Sequence, residues 1–527
     1  MDHTRRIAKI RCRMLNKDHN GGMPPVGFQV CTANEGKKRL CDVPVEDHLT
    51  LFLHEGQIVS VGRDNTCHVS IQHPHVSRSH LVIYSITYGP GYQPLIYVRD
   101  SSSLEGTFVN DRSIGSRIKC VEHAYLLSEG DTISIRPYWE FHITSLYQTT
   151  SSSLSGLQLR ETSIFRQQYS VTDRVLGEGS YGSVRLAFEK ETGRQLACKI
   201  HDLNVIRRSY PSDWQYLHLR IKGETDLLAK LEHPNLLKYE FAFESSNTLY
   251  TFTELATGGD LFSKLSAQKD QRFCESMVIF IVRQLISAVC FLHSKGIVHR
   301  DIKLENIFFA YGPDHTSRLV LGDFGFAKNI RSGRLASKVG TEGYMAPEFI
   351  CGNPHYTMAV DIWSVGILIL YLFGVPPGDL QALRSLSQLH VNERIKSVLQ
   401  SISESHHISA HCQNFIGSCL VLDPSQRSTA FACWKHPWFQ LHREGLDLKI
   451  KESQGSWEPR QSVAPMVVPL DLWAKAKDGR DGSEATSKQK SRHFEPVEQP
   501  AKRRRTQSKL PQMKNIVPSQ ERSRIRE

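Results

Sequence analysis

Between residues 177 and 427 the sequence holds short strings whose residue types suit phosphate and cation chemistry. Gly177, Gly179 and Gly182 are spaced G-x-G-x-x-G and followed by Val184, within a strand–turn–strand pattern. Glycines let a hairpin backbone approach an anion with no Cβ in the way, although the same spacing alone also suits a plain tight hairpin. Leu196-Ala197-Cys198-Lys199 sets an ammonium on the next apolar strand, where it could hold phosphate oxygens. It needs a carboxylate to stay oriented, and Glu224 opens a helical run ahead of His233-Pro234-Asn235. The densest string is His299-Arg300-Asp301-Ile302-Lys303-Leu304-Glu305-Asn306. It combines a carboxylate able to take a hydroxyl proton, an ammonium able to neutralise a moving anion, and an amide able to hold a metal ion. Asp323-Phe324-Gly325 follows 17 residues after Asn306 and adds a second metal-binding oxygen donor. Cations held this way offset phosphate charge, the main requirement of phosphoryl transfer.

The whole set, in this order, resembles the eukaryotic protein kinases over about half of the chain. The resemblance implies an enzyme with ATP and Mg²⁺ as cofactors, in which Lys199 and Glu224 pair on the α- and β-phosphates, Asp301 orients the substrate hydroxyl, Lys303 neutralises charge, and Asn306 and Asp323 hold the metal. Gly177, Gly179, Gly182, Val184 and Ala197 would line the nucleotide site with the hinge from Glu254 to Ala256, and Thr253 would stand behind the adenine. Ala346-Pro347-Glu348 would close the activation segment, and Arg427 would pair with Glu348. Lys303 after His-Arg-Asp-Ile resembles the serine/threonine subclass. Thr257–Phe262 and His436-Pro437-Trp438-Phe439 resemble the calmodulin-dependent-kinase-like group. Asp260 and Glu305 would face the N-terminal side of a bound peptide and favour a basic residue there. Ser337 has Arg334 three residues before it and Thr341 has Lys338, so both are candidate regulatory phosphorylation sites, with Ser337 favoured and Arg300 the expected phosphate partner.

The elements that must position these strings differ on either side of residue 150. Residues 28–145 alternate short β-type runs with turns, at Leu51–Leu53, Ile58–Val61, His80–Ile86, Leu95–Val98, Thr107–Val109, Thr132–Ile135 and Glu140–Ile143, a pattern that predicts a β-sandwich. Within it, Gly62-Arg63, Ser77-Arg78-Ser79-His80 and Gly106-Thr107-Phe108-Val109-Asn110 resemble the forkhead-associated (FHA) domain, whose loops bind phosphothreonine. Arg63 offers a bidentate fork to phosphate and Ser77 a hydroxyl donor; the resemblance makes His80 a framework residue. One position departs: family members usually have Asn where this chain has Glu105. A carboxylate there leaves three outcomes open, namely altered specificity, weakened binding or a structural relic.

The expected fold is therefore multi-domain: an all-β FHA sandwich, then a bilobal α+β eukaryotic protein kinase fold, then a disordered basic tail. The expected boundaries are a flexible basic arm over 1–27, the FHA domain over 28–145, a linker over 146–168, the kinase over 169–440 and the tail over 441–527. The net charge of +11 is confined to the ends, +4 over residues 1–18 and +7 over 441–527. A neutral body argues against direct nucleic-acid binding. The longest apolar run, Val365–Val375, is too short to span a bilayer, so no membrane association is expected. Twelve cysteines without a C-x-x-C pair suggest reduced thiols. Lys502-Arg503-Arg504-Arg505 resembles a nuclear import signal, predicting a nuclear protein.

An FHA domain ahead of a kinase resembles the checkpoint kinase 2-like family of DNA-damage and meiotic kinases, with a layout like that of its fungal meiosis-specific member. The implied partners are phosphothreonine-bearing proteins, protein substrates, and a second copy of the chain for phosphorylation in trans. Two alternatives stand beside this reading. One is a calcium/calmodulin-dependent-type kinase, disfavoured because His442–Gly445 should interrupt an inhibitory helix after Phe439. The other is a phosphoprotein adaptor with a scaffold kinase fold.

Overall fold

The computed structural model describes residues 5–15, 28–34, 37–42, 48–88, 92–117, 124–147, 152–179, 181–268, 270–313, 316–329, 340–350, 357–376, 388–406, 408–440, 443–455, 457–459 and 467–471. Two sheets build the front of the molecule. In spatial order the first runs Arg112–Gly115, Thr107–Val109, Thr132–Ile135, Trp139–Ser145, Arg6–Met14 and His48–His54. The second runs Tyr125–Leu126, Leu95–Asp100, Leu81–Ile86, Ile58–Gly62, Val69–Ile71, Phe28–Asn34 and Lys37–Asp42. All seven β-type runs anticipated from sequence meet these strands, with only His80 lying outside, one residue ahead of Leu81–Ile86. Alternation decides which face is buried: Trp139, Phe141 and Ile143 point into the core beside Ile10, Cys12, Leu53, Ile83 and Ile133. Residues 6–14, expected to lie in a mobile arm, instead form a strand paired on both sides. Ala8, Ile10 and Cys12 are buried while Arg11 and Arg13 face water, so the basic charge belongs to the solvent face of a sheet.

The second half is bilobal. Its N-terminal lobe is a sheet in the order Tyr169–Gly179, Gly182–Glu189, Gln195–Asp202, Thr248–Glu254, Tyr239–Glu244 and Val468–Pro469. Three helices flank it, α1 (Gly156–Phe165), α2 (Leu203–Ser209) and α3 (Trp214–Leu228). The C-terminal lobe is helical: α4 (Leu261–Ser266), α5 (Glu275–Ser294), α6 (Pro347–Ile350), α7 (Ala359–Leu372), α8 (Gln388–His406), α9 (Ala410–Cys419), α10 (Ala430–Trp434), α11 (Pro437–Gln440) and α12 (Arg443–Gln454). By length and composition α5 could cross a membrane. Here it is the core helix, with Gln284 accepting from Asn235 Nδ2 (3.0 Å) and Leu319 N (2.9 Å).

Two segments depart from expectation. The 146–168 stretch is more than a connector: Ser155 and Gln158 form a reciprocal capping box at the start of α1. Glu161 of that helix then accepts from Ser245 Oγ (2.6 Å) and Tyr250 Oη (2.9 Å). Arg443, Glu444 and Gly445, where a helix break was expected together with His442, lie within α12; His442 lies outside the described residues. Residues 472–527, including Lys502–Arg505, lie outside the described residues.

The sandwich sits directly on the N-terminal lobe and on the hinge segment that follows Glu254. Tyr84, Leu95, Tyr97, Ala124 and Leu126 form one buried cluster with Leu186, packed by Leu176, Phe188 and Leu255. Tyr84 Oη donates to Thr257 O (2.8 Å). The Gln195 carboxamide pairs with both the N–H (2.7 Å) and the carbonyl (2.9 Å) of Leu126. Arg174 donates to Leu127 O (2.6 Å).

Candidate active site

The glycine turn and the next strand are locked by register: Gly177 pairs with Val184, Gly179 with Gly182, and Val184 with Lys199. Gly182 is required by packing, because a Cβ there would lie 2.2 Å from Ile200 O. Gly177 has open space where its Cβ would be, which leaves that side of the turn free for an anion. Lys199 Nζ lies 2.7 Å from Glu224 Oε1. Burial pushes the ammonium down, but Glu224 and Asp323 outweigh burial and raise its pKa. Glu224 sits near the C-terminal end of α3 rather than opening a helix, on a buried stripe with Leu217, Ile221, Thr225 and Leu228.

Below this pair, Asp301 divides its carboxylate. Oδ1 accepts from Thr341 Oγ1 (2.7 Å), and Oδ2 from Asn306 Nδ2 (2.9 Å) and Lys303 Nζ (3.0 Å). Lys303 Nζ also donates to Thr341 Oγ1 (2.7 Å). The loop is held from beneath by Asp361 of α7, a residue the sequence reading did not single out. Its oxygens accept from the N–H groups of His299 (2.9 Å) and Arg300 (2.8 Å), and from His293 Nε2 (2.9 Å). Burial pushes Asp361 up, but the His293 bond and the neighbouring charges outweigh it and lower its pKa. Arg300 and Asp323 both adopt left-handed backbone, at φ 67° and 53°. Such strain in non-glycine residues persists only where the surroundings fix it, and it clusters at functional sites. Asp323 accepts from Gly325 N (3.2 Å). Desolvation raises its pKa, but Lys199 and that N–H prevail and lower it. Arg427 makes a bidentate pair with Glu348 (2.7 and 3.0 Å), as expected.

Several expected site residues have other or additional partners. The Glu254 side chain is committed to Arg318 (2.5 Å) and Lys238 N (2.8 Å), and its N–H donates to Lys238 O (2.9 Å). Ala256 follows in the hinge, and its carbonyl accepts from Tyr88 Oη at 3.4 Å. Asp260 is buried as the N-cap of α4, both oxygens engaged by Ser263 (2.7 and 2.8 Å). Glu305, the other residue expected on the N-terminal side of a bound peptide, is exposed. Arg300 Nε donates to Phe326 O (2.6 Å). Ser337 lies outside the described residues.

In the sandwich, Arg63 N donates to Ser77 O (2.8 Å), which brings both expected ligands to one rim. This approach depends on Gly62, where a Cβ would lie 2.2 Å from Arg78 O. Ser77 Oγ accepts from Leu104 N (2.9 Å). His80 is fully buried and bridges Ser77 N (3.2 Å) and Gly106 O (3.2 Å), the framework role expected of it. Glu105 stands exposed on the rim, its carboxylate 3.2 Å from His75 Nδ1. Asp100 anchors the loop beneath it by accepting from Ser103 N, Ser103 Oγ and Thr107 Oγ1 (2.9, 2.5 and 2.6 Å).

Residues 170–439 match the protein kinase domain family and residues 59–136 match the FHA domain family. The chain belongs to the protein kinases. It is 33% identical over 403 residues to the meiosis-specific serine/threonine-protein kinase mek1 of Schizosaccharomyces pombe, covering 74% of this chain and 82% of that protein. It is 28% identical to the meiosis-specific serine/threonine-protein kinase MEK1 of Saccharomyces cerevisiae, covering 83% and 90%. A match to the calcium/calmodulin-dependent protein kinase type I of S. pombe, at 36% identity, covers only 58% of this chain. The protein is thus an ATP-binding serine/threonine kinase with an FHA domain, a module that binds phosphothreonine peptides.

Proposed function

We propose that this kinase acts in meiotic or DNA-damage checkpoint signalling, recruited to phosphothreonine-bearing partners through Arg63 and Ser77. The observation that carries the catalytic part is the Asp301 carboxylate, which already accepts a side-chain hydroxyl at 2.7 Å beside an ammonium. A substrate serine or threonine takes the place Thr341 occupies: Asp301 receives its hydrogen bond and aims the oxygen at the γ-phosphate, and Lys303 follows the charge on the transferred group. Lys199, oriented by Glu224, holds the α- and β-phosphates beneath the turn from Gly177 to Gly182, with Val184 and Ala197 against the adenine.

Mg²⁺ fits the donor set. Asn306 uses its amide nitrogen on Asp301, which leaves its carbonyl oxygen for a cation, and the Asp323 carboxylate carries lowered basicity. Among the described residues no cluster of three His, Cys, Asp or Glu side chains could bind a metal by itself. Mg²⁺ characteristically takes one or two protein oxygens together with substrate phosphates. Bound there, the ion would neutralise phosphate charge.

Glu305 favours a basic residue before the target, Ser337 is the favoured regulatory phosphorylation site with Thr341 as the second candidate, and Lys502–Arg505 directs the chain to the nucleus. Copies gathered on one phosphorylated scaffold favour phosphorylation in trans. The test is an oriented phosphopeptide library bound to the full chain, followed by a basic-peptide kinase assay with and without the selected ligand. Absence of phosphate-dependent binding removes the recruitment model, and absence of transfer to the basic peptide removes the catalytic one.

A further inference from the structure

Residues 443–471 lie beyond the kinase-domain match, which ends at residue 439, and no role described above uses them. Their first part is fastened to the C-terminal lobe. In α12, Leu446 is buried in the lobe core, Asp447 lies 3.4 Å from Arg283, and Ser453 O accepts from Tyr311 Oη at 2.6 Å. Their last part is fastened to the other lobe. Val468 and Pro469 pair in parallel with Phe243 and Glu244, adding an edge strand to the N-terminal sheet. Leu470 is 1% exposed and packs in one cluster with Phe165 of α1, Phe243, Tyr250 and Phe252. Val467 packs against Ile206 of α2, Leu217 and Ile221 of α3, and Leu249.

The last contact reaches the chemistry. Leu217, Ile221 and Glu224 recur at i, i+4 and i+7 and therefore share one helical face. Glu224 is the residue that orients Lys199. We infer that Val467–Leu470 is an intramolecular clip: this chain's own apolar segment fills the groove between the sheet edge and α3, and thereby positions Glu224 against Lys199. Val467 and Leu470 act as positioning residues, since neither touches substrate. The inference rests on reading Lys199–Glu224 as the phosphate-holding pair.

The test uses the full chain with Val467→Asp and Leu470→Asp together, which deny the groove its apolar occupant. Three readouts are taken: kcat and KM on a basic peptide, backbone hydrogen exchange over 214–228, and the response of both to a synthetic peptide of residues 466–471. The clip predicts a kcat roughly tenfold lower, in the range typical of couplings between sites. The peptide KM should be unchanged, because Glu305 lies in the other lobe, and exchange in α3 should be faster. Added peptide should restore kcat and exchange together, and Val467→Ile should behave as wild type. A double variant with wild-type kcat and exchange overturns the clip. So does a fall in kcat that leaves α3 exchange unchanged or that the peptide does not restore. If the wild type itself transfers no phosphate, the active-site reading fails, and the α3 exchange still decides whether the segment holds the helix.

Discussion

Asp301 sends its two carboxylate oxygens to different partners, one to a hydroxyl and one to an amide and an ammonium. Asp301→Asn keeps the shape but replaces one acceptor oxygen with a donor facing Thr341 or Lys303. Activity should fall about 10²–10⁴-fold, the usual worth of a positioned proton acceptor, with thermal stability nearly unchanged. Lys199→Arg should also cripple transfer, because a planar fork does not reproduce a point charge 2.7 Å from Glu224. A steady-state assay beside a thermal melt reads both, and full activity in either variant refutes the catalytic assignment. On the sandwich rim, Arg63→Ala should abolish phosphothreonine-peptide binding without changing turnover on a short peptide. Glu105→Asn removes a carboxylate beside the phosphate loops and should tighten that binding. Calorimetry giving weaker binding for Glu105→Asn would mean that the Glu105–His75 pair serves the ligand rather than repelling it.

The strand Gln195–Asp202 carries Lys199 and, two residues on along the same face, the buried His201. Burial and the nearby Lys199 push the His201 pKa down to about 3, with Asp323 opposing. The sign follows directly. The unfolded chain gains a proton near pH 6.5 while the folded one does not, so stability falls as pH drops below about 6.5 and levels off only near the folded pKa. His201→Leu should flatten that dependence in melts taken between pH 7 and pH 4, and an unchanged slope would assign the acid sensitivity elsewhere. At this scale much of the fold was legible, and the misses have physical causes. Glycine spacing and the His-Arg-Asp string located the site because few residue types can do that chemistry. The strand Arg6–Met14 was obscured because its outward side chains are basic, although Ala8, Ile10 and Cys12 alternate with them at the strand period. Helix α1 was hidden in a Ser-rich stretch whose Ser155-x-x-Gln158 spacing is itself a helix-start signal. That Asp260 also caps α4 was not legible, because sequence cannot distinguish a capping carboxylate from an open one. The Val468–Pro469 strand carried no signal at all, since a short apolar run gains meaning only from the sheet edge it meets.

Across the whole molecule, the strands Leu81–Ile86 and Leu95–Asp100 join the two activities. At one end they meet the loops that carry Ser77 and Ser103; at the other, Ile86 and Leu95 pack on the kinase. The rim that carries Ser77 therefore lies at the end of these strands opposite the seam. The seam itself is a small core. Tyr84 is buried and hydrogen-bonded to Thr257 O, Gln195 satisfies both main-chain groups of Leu126, and Arg174 satisfies Leu127 O. Removing a partner from buried main-chain groups costs about 1–3 kcal/mol for each group left unsatisfied. Arg174→Ala and Gln195→Ala together strip partners from Leu126 and Leu127 on the sandwich side, while leaving the catalytic strings and the Arg63 rim untouched. If the seam couples the two folds, the wild-type chain should melt in one calorimetric transition that includes both domains. The double variant should resolve two, the lower one shifting upward when a phosphothreonine peptide is added, because a ligand stabilises only the fold that binds it. Turnover on a short basic peptide at low temperature, where both folds persist, should change little. A double variant that still melts in a single transition at the wild-type temperature would show that the sandwich and the kinase are not energetically coupled through this seam.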